Sequence, residues 1–198
     1  MPNANQPSGL SPVKTITGAP YNGQANLYAI LAADTNAYAV GDPVVSAAGG
    51  GDTRGVSAVT LAAATGAIRG VIVGVFDTYP GIAKITNQES TIRPSGAKTT
   101  VWYVMVADDP NLIFEVQEVG TGTALAVADI NLNTNLVVGT NNGFMSGWQL
   151  DNATEAVTAT LQMRILGLVP RVDNELGPFA KWLVKINNHE FAAGTVGI

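Results

Sequence analysis

From Leu27 onward, apolar and polar positions follow a period of two, broken by turn residues. That period places alternate side chains on opposite faces of a strand. Leu27-Tyr28-Ala29-Ile30-Leu31 reads as a short strand, followed by Tyr38-Ala39-Val40, the turn Gly41-Asp42-Pro43 and Val44-Val45. Pro43 confines its position to a turn or a sheet edge. Gly49-Gly50-Gly51 reads as a loop tip. A glycine run cradles phosphate only where it joins a strand to a helix, and no helix or Lys follows. Residues 55–61 and 68–76 form the next strands. Gly70 and Gly74 inside the second mark a bulge or a close backbone approach.

The second half carries stronger β signals. Residues 99–106 are a run of β-branched and aromatic side chains, and residues 112–119 alternate with Ile113 out of phase. Asp108-Asp109-Pro110-Asn111 between them is a turn, giving a hairpin or a sheet corner. Residues 124–130 suit one short helical turn, and Asn142-Gly143 is a hairpin turn signal. Residues 159–169 and 181–186 supply two further strands across the turn-rich loop 171–178. Short strands with trivial helix predict an all-β fold: a β-sandwich or jelly-roll-like domain, or two small β modules. Residues 1–26 are different, with Pro2, Pro7, Pro12, Pro20 and Asn22-Gly23 among spaced apolar residues. Proline removes ladder donors and biases its predecessor to extended backbone. The reading is an extended N-terminal arm over 1–26 and a β-rich domain over 27–198, with a sub-boundary placed near 95–100.

Composition then removes function classes. The chain has 198 residues, 46% of them hydrophobic, which excludes intrinsic disorder. Only 13% are charged, about half the usual roughly 25%. Cys is absent and His occurs once, so disulfide scaffolds, thiolate zinc sites and His-rich metal centres drop out. A net charge of −5, with ten cations spaced singly along the chain, argues against nucleic acid as a partner. Those cations read as isolated solubilising charges. Neither long uncharged run, 15–33 or 130–150, reads as a membrane span, because Asn, Gly and Gln interrupt both. The start lacks the basic and apolar regions of a signal peptide, so synthesis in a cytoplasm is expected.

Catalytic chemistry finds little to stand on. Asp108-Asp109 is the one adjacent acidic pair, and neighbouring strand residues point to opposite faces. His189 is the sole His, and no Gly-x-Ser-x-Gly nominates a nucleophile. Asn187-Asn188-His189-Glu190 ends a strand and suits a hydrogen-bonded turn or an interface cap. Trp102 and Trp182 sit inside strands and read as core. Trp148, between Ser146-Gly147 and Gln149, reads as core or as an exposed platform. No catalytic residue, metal or cofactor is expected. Few charges with 16 Asn and 19 Thr suit a subunit whose surface is partly buried in an assembly.

Several strings resemble virion structural proteins of tailed bacteriophages. They are Val106-Ala107-Asp108-Asp109-Pro110-Asn111-Leu112-Ile113-Phe114-Glu115-Val116-Gln117-Glu118, then Ser146-Gly147-Trp148-Gln149-Leu150-Asp151 and Leu161-Gln162-Met163-Arg164-Ile165-Leu166-Gly167-Leu168-Val169. The ending Lys181-Trp182-Leu183-Val184-Lys185-Ile186-Asn187-Asn188-His189-Glu190-Phe191 is the nearest in pattern, with its Val-x-Ile-Asn-x-His. Residues 41–74 are more weakly similar to the small β modules of head-decoration proteins. The resemblance implies a capsid decoration, or cement, subunit: a homotrimer on the virion surface, partnered by the major capsid protein. It offers no active site. The expected contact residues are Val13, Ile16 and Tyr21 of the arm, either reaching a neighbour's sheet edge or tucking onto their own domain, with Trp148, Asn188 and His189. The competing readings are a coat or head-fibre-base subunit, and a carbohydrate-binding sandwich displaying Tyr38, Tyr79 and Trp148.

Overall fold

The computed structural model describes residues 3–80, 91–192 and 194, so the first two positions of the expected arm fall outside it. In chain order the strands are β1 (Ser11–Thr15), β2 (Asn26–Ile30), β3 (Tyr38–Ala39), β4 (Pro43–Gly51), β5 (Ser57–Leu61), β6 (Gly70–Phe76) and β7 (Ile92–Arg93). They continue with β8 (Trp102–Ala107), β9 (Leu112–Gln117), β10 (Asn133–Thr134), β11 (Leu136–Val137), β12 (Gln149–Leu150), β13 (Met163–Leu168) and β14 (Lys181–Ile186). The protein is all-β; helix among the described residues is limited to a 3₁₀ turn at Val127–Asp129, inside the segment expected to hold one.

Two β units make up the body. A closed barrel runs β2-β5-β4-β6-β8 and back to β2, antiparallel except for the β2–β5 pair. A five-stranded antiparallel sheet runs β1-β9-β14-β13-β10. The barrel interior holds Tyr28, Ile30, Tyr38, Val44, Val59, Ile72, Val75, Val104 and Val106. The second core lies between the units. Phe114, Val116, Met163, Ile165, Trp182, Val184 and Ile186 on one face of the sheet pack against Ala62, Ile68, Val71 and Ala107 from the barrel. Alternation explains the split: Trp182, Val184 and Ile186 are buried, while Lys181, Leu183 and Lys185 are half-buried on the opposite face.

The chain passes from barrel to sheet at residues 108–111. Asp109 accepts the Asn111 N–H at 2.8 Å, and the Leu112 N–H reaches the Asp109 carbonyl at 3.1 Å. The segment is a sheet corner, since β8 and β9 pair with different partners. The unit boundary therefore lies later than 95–100. β8, beyond that stretch, still belongs to the barrel.

Glycine explains two local features. Gly49 to Gly51 belong to β4, not to a loop tip. Gly51 pairs with Ser57, and the register shifts between Ser46 and Gly51, where Gly49 and Gly50 take φ of 101° and 84°. An irregular bulge with positive φ is a strand feature that glycine adopts without strain. Gly70 meets β8 closely: a Cβ there would lie 2.5 Å from the Ala107 carbonyl oxygen. A register shift also falls between Ile72 and Gly74, so β6 shows both the close approach and the bulge.

Candidate functional site

The arm is extended, but it docks on its own body. β1 adds to the edge of the sheet, pairing Ser11 with Glu115, Pro12 with Phe114, Lys14 with Ile113 and Thr15 with Leu112. Leu10 inserts into the core between sheet and barrel and is 1% exposed. Beside it, the Leu10 N–H donates to the Gly41 carbonyl at 3.0 Å. Gly9, at φ +67°, packs so tightly that a Cβ would collide with the Gly41 carbonyl and the Ser146 side chain. Upstream, Asn3 donates to the Glu175 carbonyl (2.8 Å) and accepts the Glu175 N–H (3.0 Å), and Gln117 donates to the Ala4 carbonyl (2.8 Å). Beyond β1 the chain turns back. The Thr15 N–H bonds the Ala19 carbonyl and the Tyr21 N–H bonds the Val13 carbonyl, so the arm covers its own outer edge. At the other end of the sheet, Asn133 of β10 exchanges backbone hydrogen bonds with Ala156.

The expected contact residues fall at different depths. Val13 sits at a bulge of β1 and Ile16 on the return turn; both are exposed, Ile16 at 56%. Tyr21 packs against the second core and donates its hydroxyl to the Gln24 carbonyl, so it anchors the arm in place. Trp148 is 1% exposed and belongs to that core, which removes it from any surface. Its neighbours Ser146 and Gly147 left the sequence reading open. Gly147 is in fact small because its backbone crosses Gly139 and Thr140 with no room for a Cβ. Tyr38 lies in the barrel interior, so Tyr38, Tyr79 and Trp148 do not form an aromatic platform. Asn188 is half-buried, donating its amide to the Thr160 carbonyl, while its own carbonyl accepts the Ile68 N–H at 2.9 Å.

His189 is buried in a clasp that ties the end of the chain to the barrel. Its Nδ1 accepts the Phe191 N–H at 3.0 Å, so the neutral ring carries its proton on Nε2, which is buried without a partner. Burial pushes its pKa down, and Lys185 and Arg69 act in the same direction against Asp108 and Glu190. The ring is therefore neutral at pH 7, which suits structure. Around it, Arg69 Nε bonds Glu190 Oε2 at 2.6 Å and Arg69 Nη2 bonds Ser46 Oγ at 2.6 Å. Ser46 also donates its hydroxyl to Glu190 (2.8 Å), and the guanidinium lies over the Phe191 ring at 4.2 Å. Arg69 and Glu190 are one-fifth exposed or less, a setting in which a charge-assisted pair outweighs a surface ion pair. Arg69→Met is expected to cost about 1–2 kcal/mol in urea unfolding. It should also speed hydrogen exchange at the Ile68 and Glu190 amides, which bridge the two segments; unchanged exchange there would remove the clasp as the tie. Sequence reasoning singled out His189 and missed Arg69, because the pairing partner is 121 positions away.

Glu118 and Asp42 are buried, and neither forms an ion pair among the described residues. Glu118 follows β9, is 0% exposed, and accepts the Leu125 N–H at 2.9 Å through Oε2. Its Oε1 and the Trp182 indole N–H are both buried without hydrogen-bond geometry. Burial pushes the Glu118 pKa up to about 7, with the nearby Asp129 adding to the rise and donors from Leu125, Ala180 and Trp182 opposing it. Asp42 accepts the Ala39 N–H at 2.7 Å, and burial lifts its pKa to about 6. Among the described residues no group of three or more His, Cys, Asp or Glu could hold a metal, and no helix is long and apolar enough to cross a membrane.

The surface offers projecting apolar side chains instead. Phe144 at the Asn142-Gly143 turn is 72% exposed, Val172 is fully exposed, and Ile16, Val138, Leu176 and Phe191 are at least half exposed. Asn142 Oδ1 accepts the Phe144 and Met145 N–H groups, which holds the Phe144 turn in shape. No family model, curated protein or solved structure matches the chain.

Proposed function

We propose that this protein is a capsid decoration subunit of a tailed bacteriophage, binding the outside of the head and strengthening contacts between capsomers. The observation that carries the reading is a charge-poor surface on which large apolar side chains project from turns held rigid by hydrogen bonds, Phe144 above all. Exposed apolar groups on a rigid frame mark interaction surfaces. The phage-like strings supply the partner class: the major capsid protein, and further copies of this chain as a homotrimer.

The mechanism is linkage. Packaged DNA presses on the shell, and a subunit that binds only the assembled shell stabilises it by mass action. Three copies joined by symmetry turn weak contacts into avidity. The arm, bound to its own sheet, acts here as a brace of the subunit. The carbohydrate-binding alternative loses its motivation with Tyr38 and Trp148 in the core.

The test mixes purified protein with heads assembled without it and images them by electron microscopy. Added density at threefold or quasi-threefold positions is expected, with a trimer mass by light scattering. Bare heads at saturating protein would overturn the proposal.

A further inference from the structure

Cations that are isolated in the sequence come together on the second face of the five-stranded sheet, opposite the core. Register sets the membership of that face. Lys181, Leu183 and Lys185 of β14 stand opposite Gln117, Glu115 and Ile113 of β9. Lys14 of β1 stands opposite Ile113, and Arg164 of β13 opposite Lys185. Arg171 reaches in from the loop before β14 and pairs with Glu115 at 3.0 Å. Five of the ten Lys and Arg residues of a chain with net charge −5 therefore share one face.

Arg164 donates its Nε–H to Asn133 Oδ1 at 3.1 Å. Glu115 takes Arg171 and Lys181, and Asp173 takes Arg171; neither Lys14 nor Lys185 has an ion-pair partner among the described residues. Lys14, Ile113, Lys185 and Arg164 form one row across four strands, and Lys185 and Arg164 are directly cross-strand. Like charges so placed destabilise a sheet. A local cost of that kind belongs with sites shaped for something other than the free fold. The row is also partly apolar. Ile113 is 6% exposed although it lies on the outer face, which fits lysine stems lying along it with their ammonium groups outward. Leu183 is half-buried on the same face.

We infer that this face docks an acidic protein surface, one presenting carboxylates around an apolar patch. Opposite charges across the contact would relieve the cross-strand repulsion and steer the encounter. The face favours protein over nucleic acid on two counts. The chain as a whole is acidic and repels a polyanion. The apolar strip between the lysines has no use on a phosphate backbone, and no exposed aromatic ring stands in the row for bases to stack on. The inference goes beyond the capsid reading and stands without it, since it concerns one face of the isolated subunit.

The test uses the full chain with two probes, poly-L-glutamate and a 20-base-pair DNA duplex, at low and physiological salt. Binding to poly-L-glutamate that weakens with salt is expected, with at least tenfold loss in Lys14→Gln/Lys185→Gln and no change in Lys98→Gln, a cation of the barrel side. Thermal unfolding of the double variant should be unchanged or raised, because repulsion is relieved; residues kept for stability alone would lower it. Absence of poly-L-glutamate binding, an equal loss in Lys98→Gln, or tighter binding to the duplex would each overturn the inference.

Discussion

Gly9→Ala is expected to free the arm, lowering stability by about 3 kcal/mol and opening Lys14 to trypsin. Two causes add at this position. The backbone φ of +67° costs a residue with a Cβ about 1–2 kcal/mol. The notch between the Gly41 carbonyl and Ser146 also has no space for a methyl group. Relief by undocking removes both, but gives up the β1 pairing and the burial of Leu10, the latter alone about 2 kcal/mol. Gly18→Ala separates the two causes. Gly18 has φ +93° but open space around its Cα, so that variant carries only the conformational cost, about 1 kcal/mol, and should keep the arm docked. Urea midpoints and the rate of appearance of the fragment ending at Lys14 are the measurements. Equal proteolysis of both variants would mean that the notch does not hold the arm.

Glu118→Gln is expected to stabilise the protein at pH 8 by up to about 3 kcal/mol, and to leave it unchanged near pH 4.5. In the unfolded chain this carboxyl titrates at its ordinary 4.5, while in the folded chain it titrates at about 7. Between those values the folded state keeps a proton that the unfolded state has released. Stability is therefore fully present below about pH 4.5 and declines as pH rises to about 7, at about 1.4 kcal/mol per pH unit. Asp42 acts in the same direction between 3.8 and about 6. Native protein should accordingly melt higher at pH 5 than at pH 8, and Glu118→Gln should flatten the upper part of that slope. Glutamine keeps an acceptor for the Leu125 N–H and carries no charge into the core. A native melting temperature that rises from pH 5 to pH 8 would contradict the burial argument.

The strands were legible because their signal is local. Trp102–Ala107 and Lys181–Ile186 combine β-branched or aromatic residues with alternation, and each forms within a few residues of the expected bounds. What sequence could not supply was which surfaces meet. The arm's extended form followed from its prolines, but its docking place depended on β9 having an open edge in the folded chain. Trp148 stayed open between core and platform because Ser and Gly flank it, and it lies in the core, where Gly147 packs against Gly139 and Thr140. The basic face was hidden for the same reason. Lys14, Arg164 and Lys185 are far apart along the chain and become neighbours only through strand register. Phe144 left a usable signal: an aromatic residue directly after Asn-Gly sits at a turn, where no core exists to receive it.

The connectivity also sets an order of assembly during synthesis. Every strand of the barrel lies between Asn26 and Ala107, so the barrel has all its partners before the rest of the chain is made. The sheet has no such independence: β1 waits for β9, and β9 waits for β14, which ends at Ile186. At roughly 5–20 residues per second, the interval from Ala107 to Ile186 is on the order of ten seconds. For that time β1 lacks the finished sheet, and Leu10 lacks the part of its core that Trp148, Met163, Trp182 and Val184 supply. β1, made before every barrel strand, is thus among the last strands to become native, and long-range closure of this kind makes the final step the slow one.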